Sequence, residues 1–266
     1  MSVFREFMFP NPPSVFLTAL PIFHLVSTSA AGLLEARGNP MKYSKFWNVK
    51  DSLTGSSSSG GVNISSRRAM LLCYTPAFLI AAASFTLTGN HPRSLLLSSA
   101  LLLHFLKRIL EVLFVHKYSG GIALKAASSI SFSYATSTFS LVYCQSFAQG
   151  HSDPAIDLKF YGVFLFLLGV AGNFYHHDLL ARLRKEGGGY KIPTGGLFPL
   201  VVCPHYLFEI LGFVGIAFIS QTIYGFSNAL CTAMYLTGRS YATRRWYATK
   251  FEDFPTGVKA LIPFLF

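Results

Sequence analysis

The sequence is poor in charge and poorer still in acid. Only 12% of its 266 residues are charged, with 11 Asp and Glu against 22 Lys and Arg. A soluble domain carries roughly twice that charge density, so an ordinary soluble globule is excluded. Cysteine is scarce as well. Cys73, Cys144, Cys203 and Cys231 stand singly in apolar runs with no C-x-x-C spacing, which excludes a disulfide framework and a cysteine metal site. No metal is expected. There is no Walker motif, and "GGGY" and "TGG" in the 187–196 region lack the spacing and preceding strand of a Rossmann fingerprint. No internal repeat and no C-terminal lipidation box are present.

What the chain has instead is apolar length. It is 52% hydrophobic and 15% aromatic, with a mean hydropathy of +0.44. Crossing a bilayer takes about 20 predominantly apolar residues, and seven runs approach that: 14–35, 69–88, 95–115, 121–147, 157–173, 198–222 and 225–242. The predicted fold class is an all-α membrane protein of about seven transmembrane helices. The net charge of +11 does not point to nucleic acid, because the basic residues follow the membrane pattern. Fifteen Lys/Arg fall in loops 36–68, 116–120 and 174–197 and the tail 243–266, against two (Arg5 and Arg93) on the other side. Positively charged loops stay cytosolic, so the C-terminus is expected in the cytosol and the N-terminus across the membrane. The first run starts late and is long for a signal sequence, which reads as a retained helix. The "SSSSGG" stretch at 56–61 reads as flexible linker, and Phe46 with Trp47 as an interfacial aromatic pair. The "NIS" at Asn63 falls on the cytosolic side, where it stays unglycosylated.

Polar residues inside apolar runs carry the functional signal, since charge at bilayer depth is costly and faces a protein interior or a wet cavity. In "LLLHFLKRILEVLFVHK", residues 101–117, His104, Arg108 and Glu111 share one helical face, and Lys107 with Glu111 are i, i+4 partners. Two readings fit: an interhelical salt-bridge cluster, or a polar cavity for an anionic or carbonyl ligand. After the fifth run, with Asn173 as zero, His177 falls at about 40° and Arg184 at about 20°, while Asp178 at about 140° points elsewhere. That face is suited to a phosphate-bearing cofactor or to lipid headgroups. In "VVCPHYLFEILG", His205 and Tyr206 lie four and three residues before Glu209, an arrangement fit for a tuned general acid or for a satisfied buried Glu. Arg239, Thr243 and Tyr247 sit four residues apart, close to one helical face at and beyond the end of the last run, and Arg239 needs an anionic partner.

The stretches "NFYHHDLLARLRKEGGGYKIPTGGLF", "CPHYLFE" and "WYATKFEDFPTGVKALIPFLF" occur in one order that resembles the steroid 5-alpha-reductase family, which includes very-long-chain enoyl-CoA and polyprenol reductases. The resemblance is strong over 160–266, fair over 100–120 and weak in the first ninety residues. It divides the chain into a divergent part, 1–92, and a reductase-like membrane domain, 93–266. It implies an endoplasmic reticulum membrane reductase using NADPH from the cytosolic side. The substrate implied is a lipid, such as a steroid, with a C=C bond conjugated to a carbonyl. Hydride goes to the β-carbon while an acid polarises the carbonyl. By motif, Asn173, Arg184, Tyr190, Arg239 and Tyr247 match family positions that hold NADPH. His205 stands where the steroid branch has Asn. Glu209 matches a glutamate near the nicotinamide, and Tyr206 the tyrosine that serves the enoyl-CoA branch as acid. Glu111, with Lys107 or Arg108, is expected to shape the reductase cavity.

The departures from the steroid branch are specific. His177 stands where that branch has Asp, and Thr243 replaces a His. Phe105 stands where it has a catalytic Tyr. Its Gln-Glu pair in the second helix has no counterpart, because 69–88 contains no Asp or Glu. An enoyl-CoA or polyprenol type of reductase and a non-catalytic lipid-binding relative are the alternatives.

Overall fold

The computed structural model describes residues 6–12, 14–41, 46, 62–89, 91–118, 120–185 and 189–266. Trp47, the "SSSSGG" stretch and the first two glycines of "GGGY" lie outside them. Among the described residues the seven apolar runs form seven long helices: α1 Val15–Ala36, α2 Ser66–Ala83, α3 Pro92–Leu110, α4 Leu124–Ala148, α5 Lys159–Lys185, α6 Pro204–Ser220 and α7 Ile223–Lys250. A short turn, Phe85–Thr88, extends α2. Three helical segments, Val15–Ala36, Ser66–Thr88 and Lys159–Lys185, are long and apolar enough to cross a membrane, and Pro204–Ser220 is apolar but shorter.

Local chemistry sets the boundaries. The Ser14 hydroxyl accepts from Leu17 N–H at the start of α1, and Thr222 Oγ1 accepts from Gly225 N–H at the start of α7, each satisfying an orphan donor of a first turn. Pro92 and Pro204 open α3 and α6, where a missing N–H costs nothing. α6 begins later than the apolar run because 200–203 pairs with the tail: Val202 N–H donates to Lys259 O (2.9 Å) and Lys259 N–H to Leu200 O (2.9 Å). α5 overshoots its run by twelve residues, since "FYHHDLLARLRK" is itself amphipathic and continues the helix.

The expectation of an all-α fold needs one correction. Asn63–Ser65 and Gly121–Ala123 form a two-stranded antiparallel sheet, Asn63 opposite Ala123, so the "NIS" motif is strand. This sheet joins the entries of α2 and α4. Elsewhere α1 lies along α7, α2 along α4 and α3, and α5 along α6, so α1 and α2 are woven through the bundle.

Two crossings are closed by glycine. A Cβ at Gly169 of α5 would lie 2.5 Å from Gly212 N of α6, and one at Gly238 of α7 would strike the Gly32 carbonyl of α1. Apolar solvent gives helices little reason to associate, so close backbone approach supplies the van der Waals contact. At the end of the bundle where α6 turns into α7, Arg93 is buried and holds Asp153 (2.9 Å), Asp157 (2.7 Å), Gln221 Oε1 (2.9 Å) and Ile219 O (2.9 Å). Gln221 adopts φ 47, and its side-chain amide donates to Phe7 O and Ile156 O. Those bonds hold a left-handed non-glycine residue in the two-residue turn between α6 and α7.

Candidate active site

The end of α3 departs from α-helical geometry. Glu111–Val115 forms a wider π turn, with His116 N–H donating to Glu111 O at 2.8 Å. Such turns re-aim side chains and recur at functional sites. Here the turn sets Glu111, 1% exposed, at the centre of an ionic hub. Lys107 Nζ reaches Glu111 Oε1 at 2.8 Å and Arg108 Nη1 reaches Oε2 at 3.1 Å. His177 Nδ1 lies 3.1 Å from Oε1. A carboxylate only accepts, so Nδ1 carries the imidazole proton. Both cations expected to neutralise Glu111 do so. His104 does not join them; its ring sits between Phe105 (4.9 Å) and Phe213 (5.0 Å).

The hub is tied to its neighbours. Arg108 Nη2 donates to Tyr74 OH at 2.5 Å. Lys107 also donates to Asn173 Oδ1, and Asn173 Nδ2 donates to His205 O (2.8 Å) and toward Glu209 Oε2 (3.4 Å). Asn173 thus joins α3, α5 and α6. Arg184 lies on the same face of α5, exposed, and donates to Lys117 O at 2.6 Å. The face expected for Asn173, His177 and Arg184 is therefore the one packed on α3 and the segment that follows it. Asp178 points away and pairs with Arg182 at 2.7 Å.

Glu111, His116 and His177 place ligand-type atoms within 4.8 Å of one another. Burial, followed by the charges of His177 and Arg108, pushes His116 down to about 3, so its 3.9 Å approach to Glu111 is not an ion pair. A divalent ion there would have to displace Lys107 and Arg108 from the one carboxylate. The cluster is a carboxylate neutralised by its two cations.

Above the hub lies an aromatic cluster. Tyr190 meets Trp246 edge-on at 4.9 Å, and Tyr247, buried, stacks between Phe251 (5.9 Å) and Phe254 (5.9 Å). Tyr206 packs against the same cluster with Val202 and Cys203, its ring 4.3 Å from His205. One turn along α7, Thr243 is 1% exposed, and its Oγ1 finds no partner among the described residues; the same is true of Arg108 Nε. Buried donors left in this way, one in the hub on α3 and one on α7, suit an oxygen-rich ligand.

On the other side of the hub, α1, α3, α4, α6 and α7 enclose a cavity of about 410 Å³ whose wall includes Glu209, Phe105, Phe213, Leu101, Tyr134 and Tyr235. That volume is ordinary for a small-molecule site. Of the residues singled out in the sequence, Glu209 and Phe105 reach its wall. Tyr206, expected as the acid, belongs to the aromatic cluster and does not line the cavity, because its hydroxyl leaves α6 a turn earlier than the Glu209 carboxyl. Arg239 is buried, with Nη1 committed to Glu35 Oε1 (2.9 Å) and Oε2 (2.7 Å) and its guanidinium 4.3 Å from the Phe46 ring centroid. Its required anion is thus found, on α1.

Sequence reasoning missed Glu35 and the cavity wall of α4. The second was signalled by Ser129, Ser133 and Ser137, hydroxyls at i, i+4 and i+8 that mark one polar stripe.

Residues 122–266 match the family model described as 3-oxo-5-alpha-steroid 4-dehydrogenase. The chain is 34% identical over 220 residues to the steroid 5-alpha-reductase DET2 of Gossypium hirsutum, covering 77% of this chain and 84% of that one. It is 31% identical over 196 residues to human 3-oxo-5-alpha-steroid 4-dehydrogenase 2, covering 72% and 75%. The rat protein of the same name is 30% identical over 245 residues, covering 88% and 91%. The chain therefore belongs to the 3-oxo-5-alpha-steroid 4-dehydrogenase family, oxidoreductases that act on CH–CH groups.

Proposed function

We propose that the protein is an NADPH-dependent reductase of a C=C bond conjugated to a carbonyl, with a 3-oxo-4-ene steroid or related lipid as substrate. The observation that carries this reading is the juxtaposition across α3 of a largely apolar cavity bearing Glu209 and a cationic hub in which Arg108 Nε is left without a partner. The cavity suits a lipid body, and the hub side suits a phosphorylated cofactor. Asn173, Arg184, Tyr190, Tyr247 and Thr243 would hold the cofactor, with His177 and His205 shaping its bed through Glu111 and Asn173. Bound there, NADPH supplies the hydride for the β-carbon. The chain itself positions the enone, excludes water and moves a proton to the carbonyl oxygen.

The loop charges support an orientation, and the family resemblance supports the compartment. The seven helices cross the endoplasmic reticulum membrane with the N-terminus lumenal and the C-terminus cytosolic, so that Arg184 and the 189–197 loop face the cytosolic pool of NADPH. The test is titration of the detergent-purified protein with NADPH and NADH by fluorescence, followed by turnover of enones. Micromolar binding with NADPH preferred, weakened about tenfold by Arg184→Ala, supports the reading. No binding by a folded protein overturns it in favour of a lipid-binding relative.

A further inference from the structure

We propose that Asn228 recognises a second oxygen on the substrate, a hydroxyl or carbonyl at the end of its apolar body remote from the enone. The inference rests on the reductase reading above and deepens it. A polar residue at bilayer depth is costly and faces a protein partner or a ligand. Asn228, on α7, is 3% exposed and lines the cavity. Its backbone carbonyl accepts from Thr232 Oγ1 at 3.0 Å, but its side-chain amide has no hydrogen-bond partner among the described residues. Its neighbours on the wall are engaged. Ser27 Oγ donates to His24 O (3.0 Å) and Thr138 Oγ1 to Tyr134 O (2.8 Å), while Glu209 faces the amide of Asn173 at 3.4 Å. A buried amide left unpaired carries the desolvation cost of both its groups, and the space open to this one is the cavity.

Asn228 and Glu209 mark opposite ends of that space. α6 and α7 run in opposite directions through a two-residue turn. Glu209 stands eleven residues before the end of α6 and Asn228 five after the start of α7. At a rise of about 1.5 Å per residue, the two lie roughly 9 Å apart along the helix axes. The Glu209 end adjoins the hub through Asn173. At the Asn228 end, Tyr224 stands one turn earlier on α7, its hydroxyl 3.2 Å from His24 Nδ1, and His24 Nε2 lies 3.3 Å from Ser137 Oγ. Polar groups of α1, α4 and α7 thus gather at this end, whereas Leu101, Leu141 and Phe213 give the wall apolar surface.

The substrate class follows from this layout. The enone lies toward the hub, where the cofactor is proposed to bind, and the far end meets Asn228. An amide both donates through Nδ2 and accepts through Oδ1, so a hydroxyl or a carbonyl is matched there. A hydrocarbon end would fill the same space and leave both groups unpaired, which is how a polar pocket rejects an analogue lacking the polar atom. The fit is therefore to a rigid lipid with oxygen at both ends, in preference to a polyprenyl or acyl chain. Asn228 touches the substrate far from the reacting atoms and acts on specificity.

The experiment measures kcat and KM of the purified protein with NADPH and three enones of one skeleton. Testosterone carries a distal hydroxyl, androstenedione a distal carbonyl, and androst-4-en-3-one neither. Wild type should reduce the first two with kcat/KM about tenfold above the third, the factor that one neutral hydrogen bond supplies. Asn228→Leu, similar in volume and without polar atoms, should bring the three within about twofold. The change should fall on KM, because the contact is the same before and during the reaction. Thr232→Val, which removes a hydroxyl already bound inside α7, should keep the tenfold preference. An amide that only supports packing would lower stability for every substrate alike and leave the ratio untouched. Retained NADPH binding shows that Asn228→Leu is folded; should it not fold, Asn228→Ala, which cannot overpack, carries the same comparison. A wild type that reduces all three without preference, or a folded variant that keeps the preference, overturns the assignment of Asn228 alone. A wild type that binds no nicotinamide cofactor and reduces none of the three overturns the reductase reading, and this assignment with it.

Discussion

Glu35→Gln removes one negative charge from a pair that is sealed on both sides. Each side chain is 2% exposed, so the Arg239 guanidinium would be left charged in an apolar interior. Gln is isosteric and still offers one carbonyl oxygen, so the loss is electrostatic and not a cavity. Breaking a buried pair from one side costs about 3–5 kcal/mol; the remaining acceptors, Met41 O at 3.2 Å and the Phe46 ring face at 4.3 Å, put this case near the lower end. Arg239→Met should cost somewhat less, about 2–3 kcal/mol on the same scale, because the orphaned carboxylate keeps Met41 N–H (2.9 Å) and Tyr235 OH (3.3 Å) as donors. The double variant Glu35→Gln/Arg239→Met leaves no uncompensated charge and should cost less than the sum of the two singles, by roughly 1–3 kcal/mol of coupling. Thermal unfolding in a fixed detergent reads this out. At about 2–4 °C per kcal/mol for a chain of this size, Glu35→Gln should lower Tm by roughly 6–12 °C. Strict additivity of the two singles would refute the pairing argument. So would a Glu35→Gln protein that keeps its Tm and loses NADPH affinity, an outcome that returns Arg239 to the cofactor.

Gly238→Ala drives a methyl into the Gly32 backbone carbonyl, whereas a Cβ at Gly212 meets nothing within 4 Å. The first should unfold at a Tm several degrees lower or fail to fold, consistent with overpacking costs of about 1–3 kcal/mol or more, while Gly212→Ala should match wild type or exceed it slightly. At the Arg93 clasp, burial works to raise Asp153, but hydrogen bonds from Lys159 and Arg93 outweigh it and hold the carboxyl below its ordinary range. Its contribution is therefore present above about pH 4 and is lost as pH falls through the depressed folded value. Asp153 is 39% exposed, so the term is no more than about 1 kcal/mol; Asp153→Asn should flatten the acid limb of a Tm-against-pH curve, and an identical limb would count against the clasp.

The parts of this molecule that were legible in its sequence are those governed by neighbours. Seven apolar runs became seven helices because hydropathy, caps and first-turn prolines act within a few residues. The i, i+4 pairing of Lys107 with Glu111 and the shared face of Asn173 and His177 follow from helical period alone. The charge asymmetry of the loops is likewise a property of the chain before it folds. The three-residue sheet was hidden, since Asn63–Ser65 finds its partner only at Gly121–Ala123. So was the late start of α6, which depends on the tail returning to 200–203.

The same distinction explains why the site was half visible. Arg239 announced that it needed an anion, but Glu35 stands at the end of another helix, 204 residues away, and a helical wheel carries no information across that distance. Tyr206 drew attention by its spacing from Glu209, yet spacing fixes only a relative angle about α6; which groups face the cavity is decided by where α3, α4 and α7 pack.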